Sequence, residues 1–187
     1  MQKIILASGS PRRKQLLEWA EIEFDVMVSD TDESFPKGIS FADAAMHIAF
    51  NKALAVKEKL PATGVTILAA DTIVVCNNRI IGKPKDRQDA LDILAELSGN
   101  SHEVITGVAI LAGNKEILFA DTTAVSFHPL TAEQIAFYVD KYQPYDKAGA
   151  YAIQEWIGVV GIKRVEGCFY NVMGLPVSRV VQALQAL

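Results

Sequence analysis

The chain alternates between short apolar runs and segments in which apolar residues recur at helical spacing. The runs typical of buried strands are residues 4–7, 24–28, 65–70, 103–111 and 117–128. The segments with helical spacing are residues 11–20, 40–59, 87–97 and 131–141, and a helix that Pro176 opens near the end of the chain. Strands that alternate with helices in this way predict an α/β fold with mixed strand pairing.

Smaller features refine this prediction. Asn77-Asn78 predicts a tight hairpin, and residues 159–165 are expected to form a further strand in glycine-rich surroundings. Ser40 with Asp43 three residues later resembles a capping box at the start of its helix. Internal repeats, low-complexity segments and Pro/Ser-rich linkers are absent, so residues 1–187 are expected to form a single domain.

Composition limits the classes of partner. The 187 residues are 50% hydrophobic and carry a net charge of −4, which fits one globular domain, or a domain with two lobes around a cleft. Without an overall basic charge, nucleic acid is not expected as a stable partner, and any anion site must be a local pocket for a small ligand. No apolar run approaches the roughly 20 residues that span a bilayer, and no secretory signal precedes the first strand. We therefore expect a cytoplasmic protein that does not bind membranes.

The cysteines and histidines do not indicate a redox or metal centre. Cys76 and Cys168 are far apart in sequence and lack metal-type spacing, so they are expected to be free thiols. His47, His102 and His128 have no mutual spacing typical of a metal site. We predict structural or surface roles for all three.

Residues 6–17 place two serines and two arginines where the first strand meets the first helix. Ser10-Pro11 predicts an N-cap followed by proline at the first helical position, and the N-terminus of a helix attracts anions through its N–H groups and dipole. Arg12 and Arg13 add bidentate donors that fit phosphate oxygens. A plain helix start, with a capping serine and solvated arginines, is the alternative that this segment leaves open.

Carboxylates and lysines elsewhere in the chain suit a metal and phosphate site. Asp71-Thr72 directly follow a buried apolar run, and ligands of α/β proteins bind at such strand ends. Asp71 and one member of the acidic loop 30–33 offer the hard oxygen ligands that Mg²⁺ takes together with phosphates. Lys52 and Lys83 offer point charges for the same phosphates, although each is individually more typical of a solvated lysine. Gly82-Lys83-Pro84 lacks the spacing of a Walker loop.

Seven segments in this order resemble the Maf family of nucleoside triphosphate pyrophosphatases. They are Ser8-Gly9-Ser10-Pro11-Arg12-Arg13, Asp30-Thr31-Asp32-Glu33, Asn51-Lys52-Ala53, Ala70-Asp71-Thr72-Ile73-Val74, Gly82-Lys83-Pro84, Ser98-Gly99 with His102 and Thr106-Gly107-Val108, and Asn171-Val172-Met173-Gly174-Leu175-Pro176. The resemblance extends over residues 4–180. It implies a Maf-like α/β fold, with a mixed, strongly twisted sheet, flanking helices and two lobes around a deep cleft. It also implies that a divalent metal is required and that the products are a nucleoside monophosphate and pyrophosphate.

The resemblance also suggests roles for single residues. Glu33 and Asp71 are expected to hold Mg²⁺, or Mn²⁺ as the alternative, and Asp71 to orient or deprotonate the attacking water. The phosphates are expected to contact Ser8, Arg12, Arg13, Lys52 and Lys83. Arg12, Thr72 and Gln154 match the positions that mark the branch acting on dTTP and UTP, as distinct from the branch acting on 7-methyl-GTP. Family members are commonly dimers, so a homodimer is expected.

Gln154 has a physical reason to contact a pyrimidine, because its carboxamide presents a donor and an acceptor together to the ring's carbonyl and imide groups. One departure from the family follows it: Glu155-Trp156 stand where many relatives have small residues, which is expected to narrow the mouth of the pocket. A nucleotide-binding regulator of cell division with little turnover is the alternative function. Retention of both carboxylates and both lysines argues against it.

Overall fold

The computed structural model describes residues 3–60 and 64–187. In chain order the elements are β1 (Ile4–Leu6), α1 (Pro11–Trp19), β2 (Phe24–Val26), α2 (Phe41–Lys57), β3 (Thr66–Cys76), β4 (Arg79–Ile81), α3 (Arg87–Leu97), β5 (Ser101–Ala112), β6 (Lys115–Phe127), α4 (Ala132–Tyr142), a 3₁₀ turn (Ala148–Ala150), α5 (Trp156–Gly161), β7 (Ile162–Glu166), α6 (Phe169–Met173) and α7 (Val177–Gln185). None of the described helices is both long enough and apolar enough to cross a bilayer.

The strands form one mixed sheet. Its order is β2-β1-β3-β5-β6-β7, and β4 pairs with β3 beside this path. β1 runs parallel to both β2 and β3, with Ile4 opposite Phe24 and Leu6 opposite Leu68. β4 is antiparallel to β3, and β7 is antiparallel to β6. The predicted α/β class with mixed pairing is confirmed.

Side-chain caps define where three of the helices begin. Ser40 Oγ accepts the Asp43 N–H at 3.1 Å, which confirms the predicted cap of α2. The Asp86 carboxylate accepts the Asp89 N–H at the start of α3 at 2.9 Å. Thr131 opens α4 with a complete capping box. The three helices begin within one residue of the predicted positions 40, 87 and 131.

The chain divides into two compact units. The first contains the described residues up to Thr72, together with Thr106–Asp121 and Gly174–Leu187. The second contains Ile73–Ile105 and Thr122–Met173. Because the boundaries fall within β3, β5 and β6, each of these strands contributes residues to both units.

In the first unit, α2 packs its apolar face on the sheet through small side chains. The buried cluster consists of Ala7, Ala49, Ala53, Val56, Ile67, Ala69, Ala109 and Leu111. Because α2 and the strands both present alanines at this contact, the helix backbone approaches the strands closely. At Gly107 on β5 the approach is so close that an added Cβ would lie 2.2 Å from the carbonyl carbon of Ala45.

In the second unit, α3 packs against α4, and an aromatic cluster lies at the start of β5. His102, which is 3% exposed, stacks on Phe127 with ring centroids 5.6 Å apart, and its Nε2 lies 2.7 Å from the hydroxyl of Tyr151. The predicted structural role of His102 is confirmed. His128 is exposed, and His47 lies within hydrogen-bond distance of the Asn51 amide.

Burial lowers the pKa of His102 to about 4, so the ring is neutral in the folded protein. An unfolded histidine titrates near pH 6.5, so between about pH 6.5 and pH 4 only the unfolded chain takes up this proton. Stability therefore falls as the pH decreases through this window. Between pH 7 and pH 5 we expect the free energy of unfolding of the wild type to decrease by about 2 kcal/mol more than that of His102→Gln. Urea unfolding of both proteins at the two pH values measures this difference, and equal losses would contradict it.

The structure corrects the predicted end of the strand at Asp71. β3 continues from Thr66 through Asp71 and Thr72 to Cys76, because residues 72–76 are strand formers that pair with β4. Asn77 and Asn78, with φ of 49° and 58°, then form the predicted hairpin turn. Asp71 therefore lies within a long strand and not at its end.

A second correction concerns residues 159–165. Trp156–Gly161 form α5, and the strand begins only at Ile162. A short apolar run does not separate a helical turn from a strand by periodicity alone. The 3₁₀ turn and α6 were not predicted, because elements of three and five residues carry too few positions for a pattern. Cys76 and Cys168 are free thiols, as expected.

Candidate active site

Arg13 organises the loop between β1 and α1. Its side chain is buried, and its Nε donates to the carbonyl of Gly174 at 2.8 Å. Its Nη1 donates to Ser8 Oγ and its Nη2 to Thr72 Oγ1, each at 3.0 Å. Burial lowers the pKa of Arg13, but arginine remains protonated in proteins. The alternative of two solvated arginines is therefore wrong for Arg13, and three of its five N–H groups are already bonded to the protein.

The start of α1 differs from the predicted cap. Ser10 occupies the N-cap position and Pro11 the first turn, as expected, but the Ser10 side chain forms no capping bond within the described residues. The Ser10 N–H instead donates to Ser8 Oγ at 3.3 Å. Arg12 is partly exposed on the first turn. The N-terminus of α1 is therefore not capped by the side chain of its N-cap residue, and the cation of Arg12 lies on its first turn. Such a helix start suits an anionic ligand.

Thr72 is held by a network of partners. Its hydroxyl oxygen lies 2.9 Å from Thr106 Oγ1 and 3.4 Å from the Gly174 carbonyl oxygen. Arg13 can only donate, so the Thr72 hydroxyl accepts from Arg13 and uses its single proton toward Thr106 or Gly174. Sequence reasoning missed the roles of Thr106 and Gly174, because they are 34 and 102 residues away in the chain. These contacts determine the orientation of the Thr72 hydroxyl.

Lys52 joins the two predicted carboxylates. Its ammonium lies 2.6 Å from Asp71 Oδ1 and 2.8 Å from Glu33 Oε1. The side chains of Lys52 and Asp71 are 17% and 13% exposed, so their contact is largely shielded from water, whereas Glu33 is 57% exposed. One cation between two anions offsets their mutual repulsion. The structure thus brings together three residues that are widely separated in the sequence.

Within the acidic loop, Asp32 and Glu33 have different partners. Asp32 accepts hydrogen bonds from the hydroxyl and the backbone N–H of Ser34, which lower its pKa. Glu33 instead contacts Lys52, beside Asp71. Glu33 is therefore the member of this loop that the structure places with Asp71.

This donor set fits a hard divalent cation. The two carboxylates offer oxygen ligands, which Mg²⁺ prefers, and magnesium sites commonly use one or two carboxylates together with waters and substrate phosphates. Over residues 3–60 and 64–187, no group of three or more histidine, cysteine, aspartate or glutamate side chains is placed to hold a metal ion. A metal held here by Glu33 and Asp71 would take its remaining ligands from water and substrate phosphates.

The two remaining predicted residues belong to the second unit. Lys83 is exposed in the loop after β4, and the carbonyl of the preceding Gly82 accepts the N–H of Gly149 at 3.1 Å. Gln154 is exposed and follows three buried residues, 151–153. The Gly82–Gly149 hydrogen bond thus connects the loop that carries Lys83 with the segment that leads to Gln154.

Comparisons with known proteins identify the family of the chain. The family described as Maf-like protein matches residues 3–187. Proteins named dTTP/UTP pyrophosphatase from Cytophaga hutchinsonii, Parabacteroides distasonis and Bacillus cytotoxicus are 49%, 47% and 45% identical to the chain. The alignments cover 98%, 98% and 99% of this chain, and 84%, 95% and 95% of those relatives.

A solved structure supports the fold. The Staphylococcus aureus Ham1 protein matches with a TM-score of 0.50, covering 99% of this chain and 98% of that chain at 16% identity. At this identity the match concerns the fold alone. The family match, in contrast, extends over residues 3–187, and the first two relatives align over 98% of this chain at 49% and 47% identity. This chain belongs to the Maf-like protein family.

Proposed function

We propose that this protein is a nucleoside triphosphate pyrophosphatase that hydrolyses dTTP and UTP, or modified pyrimidine nucleotides, to the monophosphate and pyrophosphate. The observation that carries the proposal is the contact of Lys52 with both Glu33 and Asp71. A site that only binds nucleotide needs no such pair of carboxylates. Relatives named dTTP/UTP pyrophosphatase support the choice of substrate.

The triphosphate would bind to cations and N–H groups. They are the N-terminus of α1, the Ser8 hydroxyl, Arg12, and the two Arg13 N–H groups that do not bond to Ser8, Thr72 or Gly174. The resemblance to the family assigns Lys83 to the phosphates as well. Because Ser8 and Arg13 are held by hydrogen bonds before the substrate arrives, they would stabilise the leaving pyrophosphate without further reorganisation.

Asp71 is the proposed general base. Its contact with Lys52 uses Oδ1, so Oδ2 is the oxygen that we assign to accept a proton from the attacking water. Glu33 and Asp71 would also hold a divalent cation, Mg²⁺ in our proposal with Mn²⁺ as the alternative. When bound, that cation supplies positive charge that offsets charge on the phosphates. No nucleophilic side chain is required, and most of the acceleration comes from positioning and electrostatics.

Base recognition is assigned to Gln154, with Arg12 and Thr72 as the other specificity residues. Gln154→Ala removes the paired donor and acceptor, so we expect the KM for dTTP to rise about tenfold while kcat changes much less. Steady-state kinetics on dTTP, UTP, dCTP and dGTP measure the change. A preference among the four nucleotides that stays as in the wild type would show that the base is recognised by other residues.

The activity itself is tested by incubating the purified protein with Mg²⁺ and a panel of ordinary and modified nucleoside triphosphates. Pyrophosphate release is followed and the nucleotide product is identified. Monophosphate formed from dTTP and UTP is the expected result. Nucleotide binding without turnover on any member of the panel would instead support a regulator.

The homodimer and the cytoplasmic location remain predictions.

A further inference from the structure

The segment 151–155, here called the Gln154 segment, is anchored to helix α4 by one hydroxyl group. Tyr138 is fully buried, and its Oη accepts the backbone N–H of Ala152 at 3.1 Å. The same hydroxyl donates its proton to the Glu155 carboxylate. Ala152 and Glu155 lie on either side of Gln154 in the chain. One hydroxyl therefore holds the backbone before Gln154 and the side chain after it.

The other end of the Gln154 segment has its own anchors. Tyr151 Oη lies 2.7 Å from Nε2 of the buried His102. Before it, Gly149 and Ala150 have φ of 72° and 58°, in the left-handed region that costs energy for alanine. Strained backbone of this kind persists only where the surroundings determine it, and it is common at functional sites. The segment is therefore held in one particular conformation.

Glu155 and Trp156, the departure from the family pattern, both face α4. Glu155 binds Tyr138, and Lys147 Nζ lies 3.7 Å from its Oε1. Trp156 packs edge-on against Phe137, with ring centroids 4.8 Å apart. These two residues connect the Gln154 segment to the same helix that carries Tyr138. The sequence did not predict these contacts with α4.

We propose that Tyr138 is a positioning residue that orients Gln154 for recognition of the pyrimidine base. This inference rests on the proposed function, in which Gln154 contacts the base. Without the hydroxyl, the Ala152 N–H and the Glu155 carboxylate both lose a buried partner, and the segment samples conformations in which the carboxamide is misplaced. The fraction of protein that is competent to select the base then decreases, while the chemistry at Asp71 is unaffected.

The central experiment compares Tyr138→Phe with Tyr142→Phe. The rings of Tyr138 and Tyr142 stack with their centroids 4.9 Å apart. Tyr138→Phe removes the Tyr138 hydroxyl and keeps this stacking, and Tyr142→Phe removes the hydroxyl of the neighbouring ring as the matched control. For Tyr138→Phe we expect the KM for dTTP and UTP to rise about fivefold to tenfold, with kcat changed less than about twofold. The preference for dTTP over dGTP falls, while Tyr142→Phe behaves as the wild type.

The double variant Tyr138→Phe/Gln154→Ala tests whether Tyr138 acts through Gln154. If it does, the double variant selects among nucleotides no worse than Gln154→Ala alone, because the effects of coupled residues do not add. Effects that add in full would overturn the proposal. Glu155→Ala, which removes one of the two contacts, provides a second variant should Tyr138→Phe fold poorly, and a smaller change in the same direction is expected.

Hydrogen exchange gives a readout that does not depend on turnover. Amides of residues 150–155 should exchange faster in Tyr138→Phe than in the wild type and in Tyr142→Phe. Unchanged exchange together with unchanged base preference in an active Tyr138→Phe would overturn the inference. A wild-type protein that hydrolyses no triphosphate would instead overturn the proposed function, and the exchange rates would still decide whether Tyr138 orders the segment.

Discussion

Asp71→Asn is expected to lower kcat for dTTP hydrolysis by about a thousandfold or more. In the wild type, Lys52 Nζ lies 2.6 Å from Asp71 Oδ1. Asparagine has nearly the shape of aspartate, and its side-chain carbonyl oxygen can still accept a hydrogen bond from Lys52. The substitution removes the negative charge and the oxygen that we assign to accept the proton of water. It should therefore remove turnover and leave the fold intact. Initial rates of pyrophosphate release, with circular dichroism as the check on folding, measure both effects.

Asp32→Asn is the matched control for this experiment. Asp32 is an exposed carboxylate of the acidic loop whose hydrogen bonds go to Ser34 and not to Lys52. We expect its rate to stay within about twofold of the wild type, because it lies outside the Lys52 contact. An Asp71→Asn protein with wild-type turnover would remove Asp71 from the mechanism. A large loss of turnover in Asp32→Asn would show that the overall charge of the acidic loop contributes more to the rate than Asp71 acting as a base.

Gly107→Ala is expected to be the most destabilising small substitution in the first unit. The added Cβ would lie 2.2 Å from the carbonyl carbon of Ala45 and 2.3 Å from the backbone nitrogen of Met46. These are backbone atoms of α2, so no side chain can turn aside and the helix has to move. Overpacking of a core costs typically 1–3 kcal/mol, and at this distance we expect more than about 3 kcal/mol. Urea unfolding gives the free energy directly.

Gly82→Ala serves as the control for stability. At Gly82 no heavy atom of the described structure outside the neighbouring residues lies within 4 Å of the added Cβ. A change of less than about 1 kcal/mol is expected there, since the substitution mainly restricts the unfolded chain. If both glycine variants have the same stability, α2 does not contact β5 as closely as described. Loss of stability in Gly107→Ala alone would confirm that glycine is required by close packing and not by backbone conformation.

Helices with local signals were predicted well. Residues 87–97 were expected to form a helix and form α3, because apolar residues recur at helical spacing within this one short segment. The hairpin at Asn77-Asn78 was predicted for the same reason. Residues 156–161 were not, because a glycine-rich apolar run of this length has the same pattern in a helix and in a strand. Success thus depended on whether the signal was local and long enough.

The site was predicted less completely than the fold. Asp71, Glu33 and Lys52 were named as residues of one site, but that one ammonium contacts both carboxylates depends on how α2 and β3 pack. Arg13 was expected at the phosphates, and its three bonds to Ser8, Thr72 and Gly174 could not be predicted, since nothing in the pattern of residues 11–19 distinguishes it from Arg12. Tyr138 lies within the predicted helix 131–141, and nothing in the pattern of that helix indicates its contacts with Ala152 and Glu155.

The sequence by itself determined the longer helices and most of the strands of this protein, the order in which they occur and the chemical types of its candidate site residues. These follow from spacing, caps and side-chain chemistry, which act over a few residues. Only the tertiary structure decided which residues share a hydrogen bond, how deeply Arg13 and Tyr138 are buried, and which hydroxyl contacts the Gln154 segment. The reason is physical: such contacts join residues that are distant in the chain, and their strength comes from removal from water, which a linear pattern does not specify.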